Sequence, residues 1–392
     1  MHIDNFISNS IVFLRVDFNV PIIDGKISSS KRIDDVIPFI ISLLEKNNKL
    51  IIASHFGRPK GFDLTHSLRI VYDYLCGRIS QYKIFFAEKI DHSYNDLVNK
   101  LNYGEILFLE NLRFYKEEEE NDENFKKLLA EPVEYYINEA FSCSHRTHAS
   151  IMMAELFSKK KKFIGRLFSK EINAIDGILT DRDNAIAIIG GSKISTKLDV
   201  LNTLTKKVGK IIVVGAMANT FLFAKGLDVG KSLYEADYTD VCKKLMLNSD
   251  CEIILPRYVV VTDDIRNHKI VQSKSIHSVE DSDIIVDISS ESIDEFCKVI
   301  EKSRLVLWNG PLGVFEIKPF DNGTLLLGES IIKLTKNGKI KSVIGGGDTV
   351  AALENNIDLD DFTHVSTAGG AFLEYIEKDG KLPGLMALND DK

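Results

Sequence analysis

The feature that most constrains this chain is a recurring one: short, continuously apolar runs alternate with amphipathic stretches from end to end. IVFLRV (11–16), LIIAS (50–54), EILFLE (105–110) and YYIN (135–138) occupy the first part. AIAIIG (185–190), KIIVVG (210–215), EIILP (252–256), DIIVD (283–287), RLVLW (304–308) and SVIGG (342–346) follow. A strand with one wet face alternates apolar and polar residues, whereas a continuous run suits a parallel strand covered on both faces. The stretches between, among them 31–46, 291–302 and 322–333, carry helical apolar spacing. Repeated β-α units of this kind predict doubly wound α/β domains with parallel sheets.

Length sets how many. A chain of 392 residues exceeds one ordinary core and suggests roughly two to three domains. FSKEINAIDGILT (168–180) spaces Ile172, Ile175, Ile178 and Leu179 near a helical period, and no Gly/Pro-rich linker stands nearby. It reads as a helix joining two domains, 1–170 and 171–370, with residues 371–392 expected to pack back on the first. The acidic run Glu117–Glu120 reads as a solvated face.

Composition excludes several classes. Hydrophobic content of 44% with 27% charged residues is ordinary for a globular protein. A net charge of −8 argues against a general nucleic-acid binder, which would be basic. No run reaches the ~18 to 20 apolar residues of a membrane span, and MHIDNFISNS lacks a secretory pattern. Five scattered cysteines without a CxxC pair fit a reducing compartment. A cytoplasmic location is expected.

The polar residues that could carry chemistry gather just after the apolar runs, where open α/β sheets bind their ligands. In the first half, VDFNVP (16–21) brings Asp17 and Asn19, SHFGRP (54–59) His55 and Arg58, and LENLRF (109–114) Arg113. NEAFSCSHRTHAS (138–150) brings His145, Arg146 and His148, and Arg32 opens the first helix. Arginines gathered on one edge repel unless an anion neutralises them. Pairing with Glu110 or Glu139 would explain any one of them, but for Arg32, Arg58, Arg113 and Arg146 together an anion site is the better reading. A metal site at Cys143, His145 and His148 is the minor alternative, since a fourth ligand is missing.

The second half differs. IIGGSKISTKLDVL (188–201) runs from strand through Gly-Gly into a predicted helix with Lys193 and Lys197 on one face. VGAMANTFL (214–222), VLWNGPLGVFE (306–316) and IGGGDTVAAL (344–353) are further strand-glycine junctions. Glycines let backbone approach a ligand, and a helix start offers free N–H groups to an anion. The lysine of a GxxxxGK[ST] loop is absent from IGGGDTV, so Lys197 is expected to supply the charge. Glu316 could accept a ribose hydroxyl, and Asp348 could bind Mg²⁺. These junctions read together as a nucleotide site. A nicotinamide oxidoreductase is disfavoured, because no GxGxxG follows a strand with an acidic residue ~20 positions on.

RVDFNVP, SHFGRP, ENLRF, HRTHAS, GGSKISTK, GAMANTF, WNGPLGVFE, GGGDTVAAL and STAGGAFLE, spread from residue 15 to residue 374, resemble the phosphoglycerate kinases. The resemblance implies reversible phosphoryl transfer between 1,3-bisphosphoglycerate and ADP, giving 3-phosphoglycerate and ATP with Mg²⁺. It also implies two α/β domains joined by a helix, for which closure about a hinge is expected; a monomer without nucleic-acid or membrane partners is expected as well. It places Asp17, Phe18, Asn19, Arg32, His55, Phe56, Gly57, Arg58, Arg113 and Arg146 at phosphoglycerate. Lys197, Gly215, Ala216, Asn309, Glu316, Gly345, Gly346, Gly347, Asp348 and Thr349 fall at the nucleotide, with Arg32, Lys193 and Lys197 in phosphoryl transfer. Departures from the family pattern are Glu139 for an Asp, Ser142-Cys143-Ser144 for a GTA-like run, and Ala216 and Ala368 for glycines. None removes a charged group. A non-catalytic relative that binds the same anions is the alternative.

Overall fold

A computed structural model describes residues 7–390 apart from 249 and 367. The first strands are β1 (Ile11–Arg15), a short hairpin of β2 (Ile22–Ile23) and β3 (Lys26–Ile27), and β4 (Lys49–Ala53). β5 (Ile84–Ala87), β6 (Ile106–Leu109), β7 (Tyr135–Asn138) and β8 (Lys162–Ile164) follow. Six of them form a sheet ordered β5-β6-β4-β1-β7-β8, parallel throughout. Successive residues point to opposite faces. Val12, Leu14, Leu50, Ile52, Ile106 and Phe108 enter one core, while Phe13, Ile51, Leu107 and Leu109 enter the other. That two-sided burial is what made these runs continuously apolar.

The later strands are β9 (Ala185–Ile189), β10 (Lys210–Val213), β11 (Glu252–Ile254), β12 (Tyr258–Thr262) and β13 (Val271–Ser275). β14 (Ile284–Ile288), β15 (Leu305–Asn309), β16 (Lys341–Gly345) and β17 (His364–Val365) complete them. A second parallel sheet runs β11-β10-β9-β15-β16-β17. Two doubly wound sheets are thus present, as expected. DIIVD was expected to be one of their strands. Instead it forms β14 of a separate antiparallel sheet, β13-β12-β14, because its apolar face packs into the same core from outside the parallel sheet.

Two helical expectations also change. The stretch 31–46 divides into Lys31–Asp34 and Ile37–Leu44, since Pro38 offers no N–H to continue the first turn and starts a new one. The acidic run is not all surface. Glu118, on the helix Lys116–Glu119, is fully buried and accepts hydrogen bonds from Ser150 N (2.8 Å) and Ser150 Oγ (2.6 Å).

The described residues up to Glu171, with those from Gly380 onward, form one compact unit, and Ile172–Asp379 form the other. The helix Arg166–Leu179 carries the chain from one to the next. Its N-terminus is held by Glu139, whose carboxylate accepts from Leu167 N (2.8 Å) and Phe168 N (3.1 Å). The return to the first unit begins at Gly380 rather than at residue 371. The helix Gly370–Glu377 stays with the second unit, where Tyr375 Oη donates to Asp176 Oδ1 at 2.9 Å. The last helix, Pro383–Asn389, docks on the first unit through Ala387 and Leu388, and Lys162 Nζ donates to Ala387 O (2.8 Å). Among the described residues no helix is long and apolar enough to cross a membrane.

Candidate functional site

Each parallel sheet has a place where the chain switches direction of travel across the sheet, and the loops there part to leave a crevice. In the first sheet β1 is central, with β4 on one side and β7 on the other. Asp17 follows β1, His55 follows β4 and Ser142 follows β7, and these loops meet. Arg32 Nη1 donates to Asp17 Oδ2 (2.9 Å) and to Asn19 O (3.0 Å), and Ser142 Oγ donates to Asp17 Oδ2 (2.5 Å). Gly57 N donates to Asn19 Oδ1 at 2.9 Å. Arg113, largely buried, donates to Gly57 O.

The electrostatics of this edge are cationic. Burial and then the guanidiniums of Arg15, Arg113 and Arg146 push the His55 imidazole well below its usual range, against the pull of Asp17. Burial and the same three arginines lower His148 to about 3. Arg113 is itself lowered, by burial first and next by Arg146. Glu110 and Glu139 do not compensate them. Glu110 accepts from Ser67 Oγ (2.7 Å) and Leu68 N (2.8 Å), while Glu139 caps a helix. Arg113 Nε does lie 3.6 Å from Glu119 Oε1, yet Arg113 and Arg146 still repel one another, and an anion would hold them together.

Not every expected residue turns toward this edge. Phe18 and Phe56 are buried in the core, and Phe18 N and Phe56 N already donate to Ser54 Oγ (2.9 Å) and Asn111 Oδ1 (3.0 Å). Arg58 is exposed and makes no ion pair among the described residues. Three residues were missed. Arg15, at the end of β1, is fully buried and donates to Ser150 Oγ at 2.8 Å; an arginine inside IVFLRV was the available signal. Ser142 braces Asp17, and Glu118 faces Arg15 electrostatically. The Cys143-His145-His148 grouping does not form. His148 precedes the helix Ala149–Met152, Arg146 Nε donates to His145 Nε2 (3.2 Å), and Cys143 lies instead with Asp17 and His55.

In the second sheet the switch falls between β9 and β15. Here the backbones touch. A Cβ on Gly190 would lie 2.4 Å from Pro311 O, and Gly310, at φ 101°, presses back on Gly190. Only glycine fits either position. Lys197 Nζ sits on this junction, donating to Gly190 O (2.5 Å) and Asn309 Oδ1 (2.7 Å). Asn309 Nδ2 in turn donates to Gly345 O (2.7 Å), and Thr349 Oγ1 accepts from Gly310 N (2.7 Å). Burial lowers the Lys197 ammonium to about 8, partly offset by Asp348. Asp348 itself is exposed, in the first turn of the helix Gly347–Leu353.

The helices Ala216–Ala224, Gly347–Leu353 and Gly370–Glu377 begin after Gly215, Gly346 and Gly369 with no side-chain cap. Their first N–H groups are left to other partners. The structure therefore brings together Lys197, Gly215, Ala216, Asn309, Gly345, Gly346, Gly347, Asp348 and Thr349. It does not bring in Lys193 as expected. The helix starts at Leu198 with Lys197 as its N-cap, so the two lysines do not share a helical face; Lys193 is exposed in the loop, where it adds to the hydrogen bonds from Ser195 that, against burial, lower the carboxyl of Glu235. Glu316 is exposed in a turn. Of the family departures, Ala216 is the first residue of its helix, and Ala368 is buried with its N–H donating to Ser366 Oγ (3.2 Å).

Comparison with known proteins accounts for this layout. A family model described as "Phosphoglycerate kinase" matches residues 3–379. The phosphoglycerate kinase of Agrobacterium fabrum is 41% identical over 398 residues, covering 99% of this chain and 98% of that protein. That of Brucella abortus is 42% identical over 384 residues, covering 96% of each. The solved structure of phosphoglycerate kinase from Coxiella burnetii superposes with a TM-score of 0.88 at 33% identity, over 99% of this chain and 98% of that one. The enzyme from Pyrococcus horikoshii OT3 gives 0.81 at 29% identity with the same coverage. The two parallel sheets, their glycine-lined and arginine-lined edges and these matches lead to one conclusion: the chain belongs to the phosphoglycerate kinase family.

Proposed function

We propose that this chain reversibly transfers a phosphoryl group between 1,3-bisphosphoglycerate and ADP, giving 3-phosphoglycerate and ATP as a step of glycolysis. The observation that carries the reading is the pair of switch-point edges, one crowded with arginine and one lined by glycine around a desolvated lysine. Asp17, Asn19, Arg32, His55, Arg113 and Arg146 would hold phosphoglycerate, with Arg58 free to reach it from the surface. Lys197, Gly215, Ala216, Asn309 and Gly345–Thr349 would hold the nucleotide. Glu316 would contribute at the ribose and Lys193 from its loop. Phe18, Phe56 and Gly57 would act through backbone and packing rather than through contacts of their own side chains.

The chemistry asks for alignment and charge more than for proton transfer. The acceptor toward ATP consumption is a carboxylate, ionised at neutral pH with a pKa of about 4. No base is required, and His55 and His148 near the first edge are held neutral. Charge that spreads over the moving phosphoryl oxygens is met by Lys197 on one side and Arg32 on the other. Mg²⁺ would be held by Asp348, an exposed oxygen donor beside the lysine, with the nucleotide's phosphates completing its shell. When bound it neutralises phosphate charge. Transfer needs the two anions in contact and water excluded, so closure about the helix Arg166–Leu179 belongs to the proposal. So does action as a monomer, since each site is built from one chain, and a cytoplasmic location, which the five free thiols suit.

The test is a coupled assay with ATP, Mg²⁺ and 3-phosphoglycerate. ADP should form only when all three are present. A folded chain that binds both substrates without turnover would make it the non-catalytic relative instead.

A further inference from the structure

Cys143 occupies a place the mechanism leaves unused. It is buried, its Sγ lies 3.6 Å from His55 Nδ1, and His55 Nδ1 lies 3.9 Å from Asp17 Oδ1. The three donor atoms all fall within 4.8 Å of one another. Ligands on a tetrahedral zinc, at bonds of roughly 2.0 to 2.3 Å, sit about 3.3 to 3.6 Å apart. The observed triangle is wider, with sides of 3.6 and 3.9 Å and all three within 4.8 Å, so binding must draw the donors together by side-chain rotation.

The donor set selects the ion. Thiolate, imidazole and carboxylate together suit a borderline-soft divalent cation, not the hard, oxygen-seeking Mg²⁺ of the nucleotide. Asp17 can take part without giving up its bracing. Its Oδ2 accepts from Arg32 and Ser142, while among the described residues its Oδ1 accepts the 3.1 Å bond from Asn19 N alone. Arg15 Nη2 lies 3.5 Å from His55 Nδ1 and is the contact the ion displaces; the surrounding guanidiniums of Arg15, Arg113 and Arg146 oppose a cation, and the negative charges of the Cys143 thiolate and Asp17 are what offset its charge. Arg15 keeps its bonds to Ser150 Oγ and Val16 O.

We infer that Asp17, His55 and Cys143 form a site for Zn²⁺ or a similar cation, and that its occupation competes with 3-phosphoglycerate. Binding forms one bond each to sulfur, nitrogen and oxygen and releases the thiol proton to solvent. The fourth position is left to water. The competitive part rests on the proposed assignment of Asp17 and His55 to phosphoglycerate, because neither donor can serve the ion and the substrate together.

Co²⁺ reports the site directly, as a thiolate ligand gives a charge-transfer band that other donors do not. Titrating the full-length protein with Co²⁺, and then displacing it with Zn²⁺, should reveal one saturable site. In Cys143→Ala and Cys143→Ser, each checked for folding by circular dichroism, the band should vanish and Zn²⁺ affinity fall more than about a hundredfold, beyond what loss of a merely supporting group costs. No band, or one that persists in both variants through the other four cysteines, overturns the metal site. With the site established, 3-phosphoglycerate should expel Co²⁺, and Zn²⁺ should raise KM for 3-phosphoglycerate reversibly on adding a chelator. A Cys143-dependent band indifferent to 3-phosphoglycerate would leave the metal site standing and overturn both the competition and the placing of phosphoglycerate at Asp17 and His55.

Discussion

Lys197 concentrates the chemistry at the scale of one residue. Its ammonium is desolvated, points at two carbonyl-type oxygens, and has Asp348 as its acidic neighbour. Lys197→Met should lower kcat by roughly 10² to 10³, the usual cost of one preorganised contact to a developing charge. ATP affinity should fall less, since the uncapped helix starts and the glycine backbone remain. A folded variant within about tenfold of the parent kcat would return Lys197 to an ordinary lysine. The pH dependence follows from the lowered value of about 8. The charged form is the working one, so kcat/KM for ATP should decline as pH rises through that value, and a profile flat well above it would contradict the role. Arg113→Ala and Arg146→Ala should instead raise KM for 3-phosphoglycerate with little change in kcat, as loss of uniform binding does. An unchanged KM in both would show that the cluster serves the fold. Lys197, Arg113 and Arg146 were legible in sequence because each follows an apolar run. Arg15 and Glu118 were not, because a buried charge inside an apolar strand or an acidic run looks like its surroundings until its partner, Ser150, is folded against it.

At the scale of elements, the centres of the sheets were legible and, apart from β11, their margins were not. β1, β4, β6, β9 and β15 are buried on both faces and announce themselves by continuous apolar runs. β5, β8 and β17 are the outermost or nearly outermost pieces, two to four residues long, too short for a pattern to stand out. The antiparallel sheet was invisible because β13 is mostly exposed and reads VQSKS. The element with the most consequence is the helix Arg166–Leu179, whose first turn hangs on Glu139. Glu139→Ala should cost about 1 to 2 kcal/mol by orphaning those N–H groups, measured by denaturant unfolding near pH 5. Burial raises the Glu139 carboxyl from 4.5 to about 7. The folded chain therefore holds a proton that the unfolded chain releases, and this contribution to stability is present below about 4.5 and lost as pH rises through about 7. The advantage of the parent over Glu139→Gln should shrink across that window. A difference that grows with pH would mean the backbone N–H groups outweigh burial.

For the whole molecule, the division into two units, near residue 171, is foreshadowed by chain length and by a helical stretch without a linker. Where the chain returns was less legible: a helix at 370–377 looks the same in sequence whichever unit it packs on, and contacts such as Phe372 beneath Gly345, Tyr375 on Asp176 and Thr203 on Glu377 decide it. The central claim is that each unit holds one anionic substrate. Calorimetric titration of the full chain with 3-phosphoglycerate, and separately with ATP and Mg²⁺, tests it in the parent and in an Arg113→Ala/Arg146→Ala variant. The account predicts that the double variant loses the 3-phosphoglycerate isotherm while its nucleotide isotherm stays as in the parent. Loss of nucleotide binding alongside, or retention of 3-phosphoglycerate binding at parental affinity, would contradict it.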